Sequence, residues 1–165
     1  MRKIILLLLT LCLIFASCGA DSTEETDKND SLSPAYNFTI QDTEGNTLKL
    51  DSLLDKPIVL NFWASWCPPC KGEMPAFEEA YKTYMGDINF VMVSVDDSLL
   101  EAVNYINSTD YTFPVYYDVN GEGSYLYSVS SIPRTYFINT DGYIVKSYET
   151  AISKSMLEKG IELLK

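Results

Sequence analysis

Cys67 and Cys70 stand three positions apart in Trp66-Cys67-Pro68-Pro69-Cys70, just after the apolar run Ile58-Val59-Leu60-Asn61-Phe62-Trp63. Two thiols at that spacing can close a disulfide within one turn. Where a strand gives way to a helix, the first sulfur also lies beside backbone N–H groups that the helix leaves unpaired, which favours its thiolate. That is the equipment for thiol-disulfide exchange, in which an exposed, thiolate-prone sulfur attacks and a second resolves the mixed disulfide. Cys67, first in sequence and ahead of the helix, is the expected nucleophile; Cys70, one turn in, is the better shielded resolving thiol. Pro68 and Pro69 carry no N–H, so two donors for the Cys67 thiolate are missing, which weights the pair toward the reducing end of the potential range.

The chain contains no histidine. Cys-His and Ser-His-Asp catalysis are thereby excluded, as are histidine-ligated metals and haem. One C-x-x-C without a second pair does not complete a zinc site, so no metal is expected. A proton acceptor must then be a carboxylate or water. Glu73 follows Cys70 by three residues, on the same helical face, and burial there would raise its pKa toward neutrality. The alternative is a solvated first-turn acid favoured by the helix dipole.

The elements that must position these groups are legible in outline. Tyr36 to Ile40 and Thr47 to Leu50 flank the turn signal Asp42-Thr43-Glu44-Gly45-Asn46, which predicts an N-terminal hairpin. Ile58 to Ala64 and Ile88 to Val95 read as buried strands. Met74, Phe77, Tyr81, Tyr84 and Met85 recur at helical spacing before Gly86. Leu99 to Ile106 reads as a helix with Asp96, Asp97 and Ser98 as N-terminal caps, and Phe113 to Tyr117 as a short extended piece. Thr135 to Asn139 and Tyr143 to Tyr148 predict a hairpin about Thr140-Asp141-Gly142, with a closing helix over Ser153 to Leu164. The order fits an α/β sandwich around a mixed central sheet.

Arg2 and Lys3 followed by the apolar stretch Ile4 to Phe15 read as an export signal, too short for a membrane span of about 20 residues. Phe15-Ala16-Ser17-Cys18-Gly19 resembles a bacterial lipobox, which implies residues 1–17 as signal peptide and Cys18 as the acylated anchor to a bacterial membrane. Residues 18–33 are polar and acidic, a flexible tether, and 34–165 form one domain. Of four cysteines, Cys12 leaves with the signal and Cys18 takes lipid, so Cys67 and Cys70 alone remain. With 12 Lys and Arg against 23 Asp and Glu, and no basic cluster beyond the signal, nucleic acid is not an expected partner.

The run Val59 to Pro75, with Trp63-Ala64-Ser65-Trp66-Cys67-Pro68-Pro69-Cys70 at its centre, resembles the TlpA/ResA-like thiol-disulfide oxidoreductases of the thioredoxin superfamily. The resemblance implies a thioredoxin-like fold and an extracytoplasmic reductase of disulfides in exported proteins. Apocytochrome c is among the implied substrates, a membrane protein is the electron donor, and no small-molecule cofactor is needed. It also implies that Glu73 lines an active-site cavity. Thioredoxin has a buried aspartate where this chain has Asn61, so that proton route is absent. Ser131-Ile132-Pro133-Arg134-Thr135 matches the place where such folds carry a cis-proline facing the cysteines. Taken alone, Pro133 would be trans, since about 5 to 6 % of X-Pro bonds are cis. Trp66, Pro68, Ile132 and Pro133 are the implied substrate-binding residues, with Trp63 more at home in the core. Arg134 departs from the small or hydroxyl residue expected there; it either tunes substrate choice or is solvated. The competing functions are an oxidase or isomerase, and a tethered peptide-binding module whose cysteines are idle.

Overall fold

The run Ile58–Trp63 is buried along its whole length, as a strand with neighbours on both sides and cover on both faces must be. It is the fourth of eight strands in a computed structural model that describes residues 32–165. The strands are β1 (Ser33–Pro34), β2 (Thr39–Asp42), β3 (Thr47–Lys49), β4 (Ile58–Trp63), β5 (Asn89–Ser94), β6 (Val115–Asp118), β7 (Arg134–Ile138) and β8 (Tyr143–Tyr148). Four helices join them: α1 (Pro68–Tyr84), α2 (Leu99–Asn107), α3 (Glu122–Leu126) and α4 (Lys154–Glu162). The export signal, Cys18 and nearly all of the tether lie outside the described residues. Among the described residues no helix is long and apolar enough to cross a membrane.

All eight strands form one mixed sheet in the order β1-β8-β7-β4-β5-β6-β2-β3. β4, β5 and β6 run parallel, linked through α1 and α2, and the remaining pairs are antiparallel. The mixed α/β architecture is the one expected. The N-terminal hairpin is also present as β2 and β3, closed by the anticipated turn: the Asp42 carboxylate accepts from the Glu44 and Asn46 amides at 2.9 and 2.8 Å, and Gly45 takes φ 91°.

Alternation along β4 divides the core. Val59, Asn61 and Trp63 alternate with Ile58, Leu60 and Phe62. Val59 and Trp63 meet Met74 and Phe77 of α1, Ala102 of α2 and Leu157 and Ile161 of α4. Leu60 and Phe62 pack on the other face with Phe38, Val91, Val93, Tyr127 and Tyr136. Trp63 is therefore core, as expected.

Several elements differ from expectation. The extended piece starts at Val115 rather than Phe113, because Pro114 has no N–H to give to a ladder. β1 and α3 were not anticipated. α3 is set by the Asp118 carboxylate, which accepts from the Gly123 and Ser124 amides at 2.8 and 2.7 Å, after Asn120 and Gly121 turn the chain through positive φ. Ser98 is the residue that precedes α2, but it makes no side-chain capping bond, and Asp96 is turned elsewhere.

Gly160 of α4 sits directly against the Phe137 ring: a Cβ there would fall 2.2 Å from Phe137 Cζ. Phe137 is wholly buried, so the ring has nowhere to go. Gly160→Ala is expected to lower stability by about 1–3 kcal/mol, measured as the urea unfolding midpoint, and an unchanged midpoint would contradict this packing.

Candidate active site

The strand β4 ends and α1 begins across a single short loop, and the sulfurs lie on either side of that transition. Cys67 is the residue capping α1, with Pro68 and Pro69 in the first two helical positions, where a missing N–H costs nothing. Cys70 is one turn inside. The two are joined as a disulfide with a Cα separation of 5.3 Å. The Cys70 amide points back at Cys67 Sγ, 3.2 Å away. It is the first backbone N–H of the helix that the prolines leave available.

Cys67 is 3 % exposed and Cys70 is 0 %. The expectation of an exposed attacking sulfur is therefore not met in the oxidised form. The order of shielding is the expected one, but by a narrow margin, since the loop bearing Ile132 covers Cys67. The Ile132–Pro133 peptide bond is cis, and the Ile132 carbonyl oxygen lies 3.9 Å from Cys67 Sγ. An oxidised sulfur has no proton to donate, so this is a contact; a thiol in the same place could donate to that oxygen. Trp66 is 63 % exposed beside the pair, an apolar surface next to the reactive bond.

One turn further along α1 from Cys70, Glu73 belongs to a buried polar group of three. Glu73, 4 % exposed, accepts from the Asn61 side-chain amide at 2.9 Å through Oε1 and from the Ile152 backbone N–H at 2.8 Å through Oε2. Asn61 Nδ2 also donates to Thr135 Oγ1 at 3.0 Å. Burial pushes the Glu73 carboxyl up from 4.5 to about 7, against the opposing pull of the Ile152 and Asn61 donors. Glu73 is thus a buried acid poised near neutrality rather than a solvated first-turn residue.

Arg134 is neither solvated nor directed at substrate. It is 9 % exposed, on the face of the sheet away from α1; its guanidinium reaches the Tyr127 carbonyl at 3.5 Å and the Tyr136 hydroxyl at 3.4 Å, and pairs with Glu149 at 3.1 Å. It holds the start of the segment that carries Ile132 and Pro133. One positioning residue was missed altogether. The Asp96 carboxylate accepts from the Ser65 amide at 3.0 Å, the Ser65 hydroxyl at 2.6 Å and the Ser94 hydroxyl at 2.6 Å. It ties the ends of β4 and β5 together just before Trp66 and Cys67. The signal was the acid at the end of a buried strand, which local reasoning assigned to a helix cap.

A disulfide between a strand end and a helix start, faced by a cis-proline loop, on this sheet order, defines a thiol-disulfide exchange protein of thioredoxin-like fold. Comparison with known proteins gives its family. The AhpC/TSA family pattern matches residues 32–147. The thiol-disulfide oxidoreductase ResA of Bacillus subtilis is 35 % identical over 134 residues, covering 81 % of this chain and 75 % of the relative. Among solved structures, a thiol:disulfide interchange protein DsbE from Chlorobium tepidum superposes with a TM-score of 0.75 at 26 % identity, over 82 % of this chain and 99 % of that one. The exposed lipoprotein thioredoxin of Streptococcus pneumoniae superposes with a TM-score of 0.67 at 28 % identity, over 77 % and 99 %. The chain belongs to the AhpC/TSA family and, within it, to the ResA-type thiol-disulfide oxidoreductases.

A raised carboxyl pKa is also a statement about stability. Between 4.5 and about 7 the folded state holds a proton on Glu73 that the unfolded chain releases. Stability from this group is therefore greatest below pH 4.5 and falls as pH rises through 7. Glu73→Gln, which keeps an acceptor for the Ile152 amide, is expected to stabilise the oxidised protein by roughly 2 kcal/mol at pH 8 and by little at pH 5. Thermal unfolding of both proteins at the two pH values checks this; equal shifts at both would show that Glu73 does not titrate there.

Proposed function

We propose that this oxidoreductase is a reductase, held outside the cytoplasm by a lipid on Cys18, that delivers electrons from a membrane donor to disulfides in exported proteins. Apocytochrome c haem-binding cysteines are among its candidate substrates. The observation that carries the proposal is the Cys67 sulfur at the helix start, with only the Cys70 amide, among the described residues, aimed at it because Pro68 and Pro69 supply none. A thiolate with few donors is a weakly stabilised reduced form, and such a pair gives its electrons away. The lipid anchor is supported by the lipobox-like Cys18, which lies outside the described residues, and by the likeness to a pneumococcal exposed lipoprotein thioredoxin.

In the proposed cycle the Cys67 thiolate attacks a substrate disulfide, forming a mixed disulfide and releasing one substrate thiolate. Cys70 gives its proton to the Glu73 carboxylate and attacks Cys67 Sγ. The bond between Cys67 and the substrate breaks, the Cys67–Cys70 disulfide forms, and the second substrate thiolate leaves. Two electrons pass to the substrate. Trp66, Pro68 and the Ile132-Pro133 backbone border the sulfurs and are the surfaces an extended substrate would meet.

Equilibration against glutathione and dithiothreitol buffers is expected to give a potential below about −240 mV for the pair. A value above about −180 mV would favour the oxidase or isomerase instead. Cys67→Ser is expected to abolish insulin reduction, and Cys70→Ser to accumulate mixed disulfides through Cys67. Insulin reduction that survives Cys67→Ser would overturn the assignment of the nucleophile, and an inactive native protein would favour the peptide-binding module. Labelling with a fatty acid is expected to mark the native chain and not Cys18→Ser.

A further inference from the structure

The hydrogen bonds around Asn61 leave one atom over. Both amide protons are committed, one to Glu73 Oε1 at 2.9 Å and one to Thr135 Oγ1 at 3.0 Å, while Asn61 Oδ1 is buried and has no hydrogen-bond partner. A buried carbonyl without a donor is costly, so this orientation must be held by something that outweighs it. The ionised Glu73 carboxylate is that group, because it accepts only and the amide is its side-chain donor.

A proton on Glu73 inverts the requirement. Oε2 faces the Ile152 N–H and must stay an acceptor, so the proton belongs on Oε1, where it would point straight at an amide donor. Rotating the Asn61 amide by half a turn removes that donor–donor conflict, and it moves the amide N–H groups into the place where Oδ1 had no partner. Oδ1 then takes the place of Nδ2, within reach of the Glu73 O–H and of the Thr135 hydroxyl, which can donate as readily as accept.

We infer that the Asn61 amide is a two-position partner for Glu73, donating to its carboxylate and turning over to accept from its acid, with Thr135 reversing its hydrogen bond in step. Asn61 and Thr135 are thus positioning residues for the proton acceptor. The inference rests on the reading of Glu73 as the group that takes the Cys70 proton. Among the described residues no charged side chain is hydrogen-bonded to Glu73: its partners are Asn61 of β4 and the Ile152 backbone before α4. On α1 itself, Glu78 pairs with Lys82, and Glu79 with Lys154 of α4. Cys67 and Cys70 are a disulfide and do not titrate until reduced. The amide is therefore the adjustable partner left to follow the proton.

NMR of the oxidised protein, labelled with 13C and 15N, tests this without reference to turnover. The Glu73 carboxyl carbon is expected to titrate near neutrality. The contact between the Asn61 amide protons and the Thr135 methyl group should be strong above that midpoint and weak below it. Asn61→Leu, which keeps the bulk and removes the donor, is expected to tighten proton binding at Glu73 about tenfold. Should that variant not fold, the near-isosteric Asn61→Asp is expected to give two separated titration steps for the carboxyl pair in place of one. A residue of merely structural importance would shift the unfolding midpoint and leave these titrations alone. A Glu73 carboxyl that titrates while the Asn61–Thr135 contact stays constant overturns the rotation and leaves the proton acceptor standing. A Glu73 carboxyl that stays ionised down to pH 5 overturns both.

Discussion

The Cys67–Cys70 disulfide needs its two Cα atoms held 5.3 Å apart, and here that spacing is set where the chain leaves β4 and enters α1. Much of this fold serves that requirement. β4 is locked in register on both sides, by β5 in parallel and β7 antiparallel, from Ile58 to its last residues. Asp96 then ties the chain beyond β4 to β5 through Ser65. Cys67 inherits its position from this frame, and α1 starts where the frame stops. On the opposite side, β7 brings Ile132 and Pro133 to the sulfur because it pairs directly with β4, so strand register decides which carbonyl faces Cys67.

The second constraint is the burial of polar groups in a place chosen for apolar ones. Val59, Asn61 and Trp63 share one face of β4, and two of the three are core residues. Asn61 breaks the pattern, and with Glu73 and Thr135 it brings a carboxyl, an amide and a hydroxyl into an interior otherwise lined by Trp63, Met74 and Phe77. Replacing such a cluster by packed hydrocarbon commonly stabilises a protein. Keeping it costs stability above neutral pH, the price of an acid that is half-ionised near pH 7. A solvated carboxylate in the first turn of α1 would be more stable there and useless as a proton acceptor, since its affinity for protons would be too low.

How much of this was legible depends on whether the cause was local. The apolar run Ile58–Trp63, the helical spacing from Met74 to Tyr84 and the Asp42–Asn46 turn are local, and each appears within a few residues of its expected place. The sulfur pair and the cis-proline segment were legible as motifs. Arg134 was not, because its burial comes from Tyr127, Tyr136 and Glu149, which only the sheet brings together. Asp96 was assigned to the helix two residues on, when its partners are Ser94 and Ser65 across the parallel pair. α3 escaped because Asn120-Gly121 reads as a loop and the capping carboxylate, Asp118, belongs to the preceding strand. The shielding of Cys67 was missed for the same reason: the covering loop arrives from 65 residues away.

Control of the thiol chemistry falls to few groups. Helix starts usually offer several free N–H groups to an anion, but Pro68 and Pro69 withdraw two of them, leaving the Cys70 amide aimed at the sulfur. The absence of histidine removes the side chain that most often shares a proton with a catalytic thiol. What remains is an acid on the same helix, its proton affinity raised by burial and restrained by the Ile152 and Asn61 donors. Weak stabilisation at Cys67 and a neutral-range acid one turn after Cys70 bear on the same exchange. In the proposed cycle the first would keep the dithiol willing to give up electrons, and the second would take the proton from Cys70. On that proposal, stronger donors at Cys67 would tilt the pair toward oxidation, and a Glu73 moved into solvent would slow resolution. The two features are therefore complementary, one bearing on direction and the other on rate.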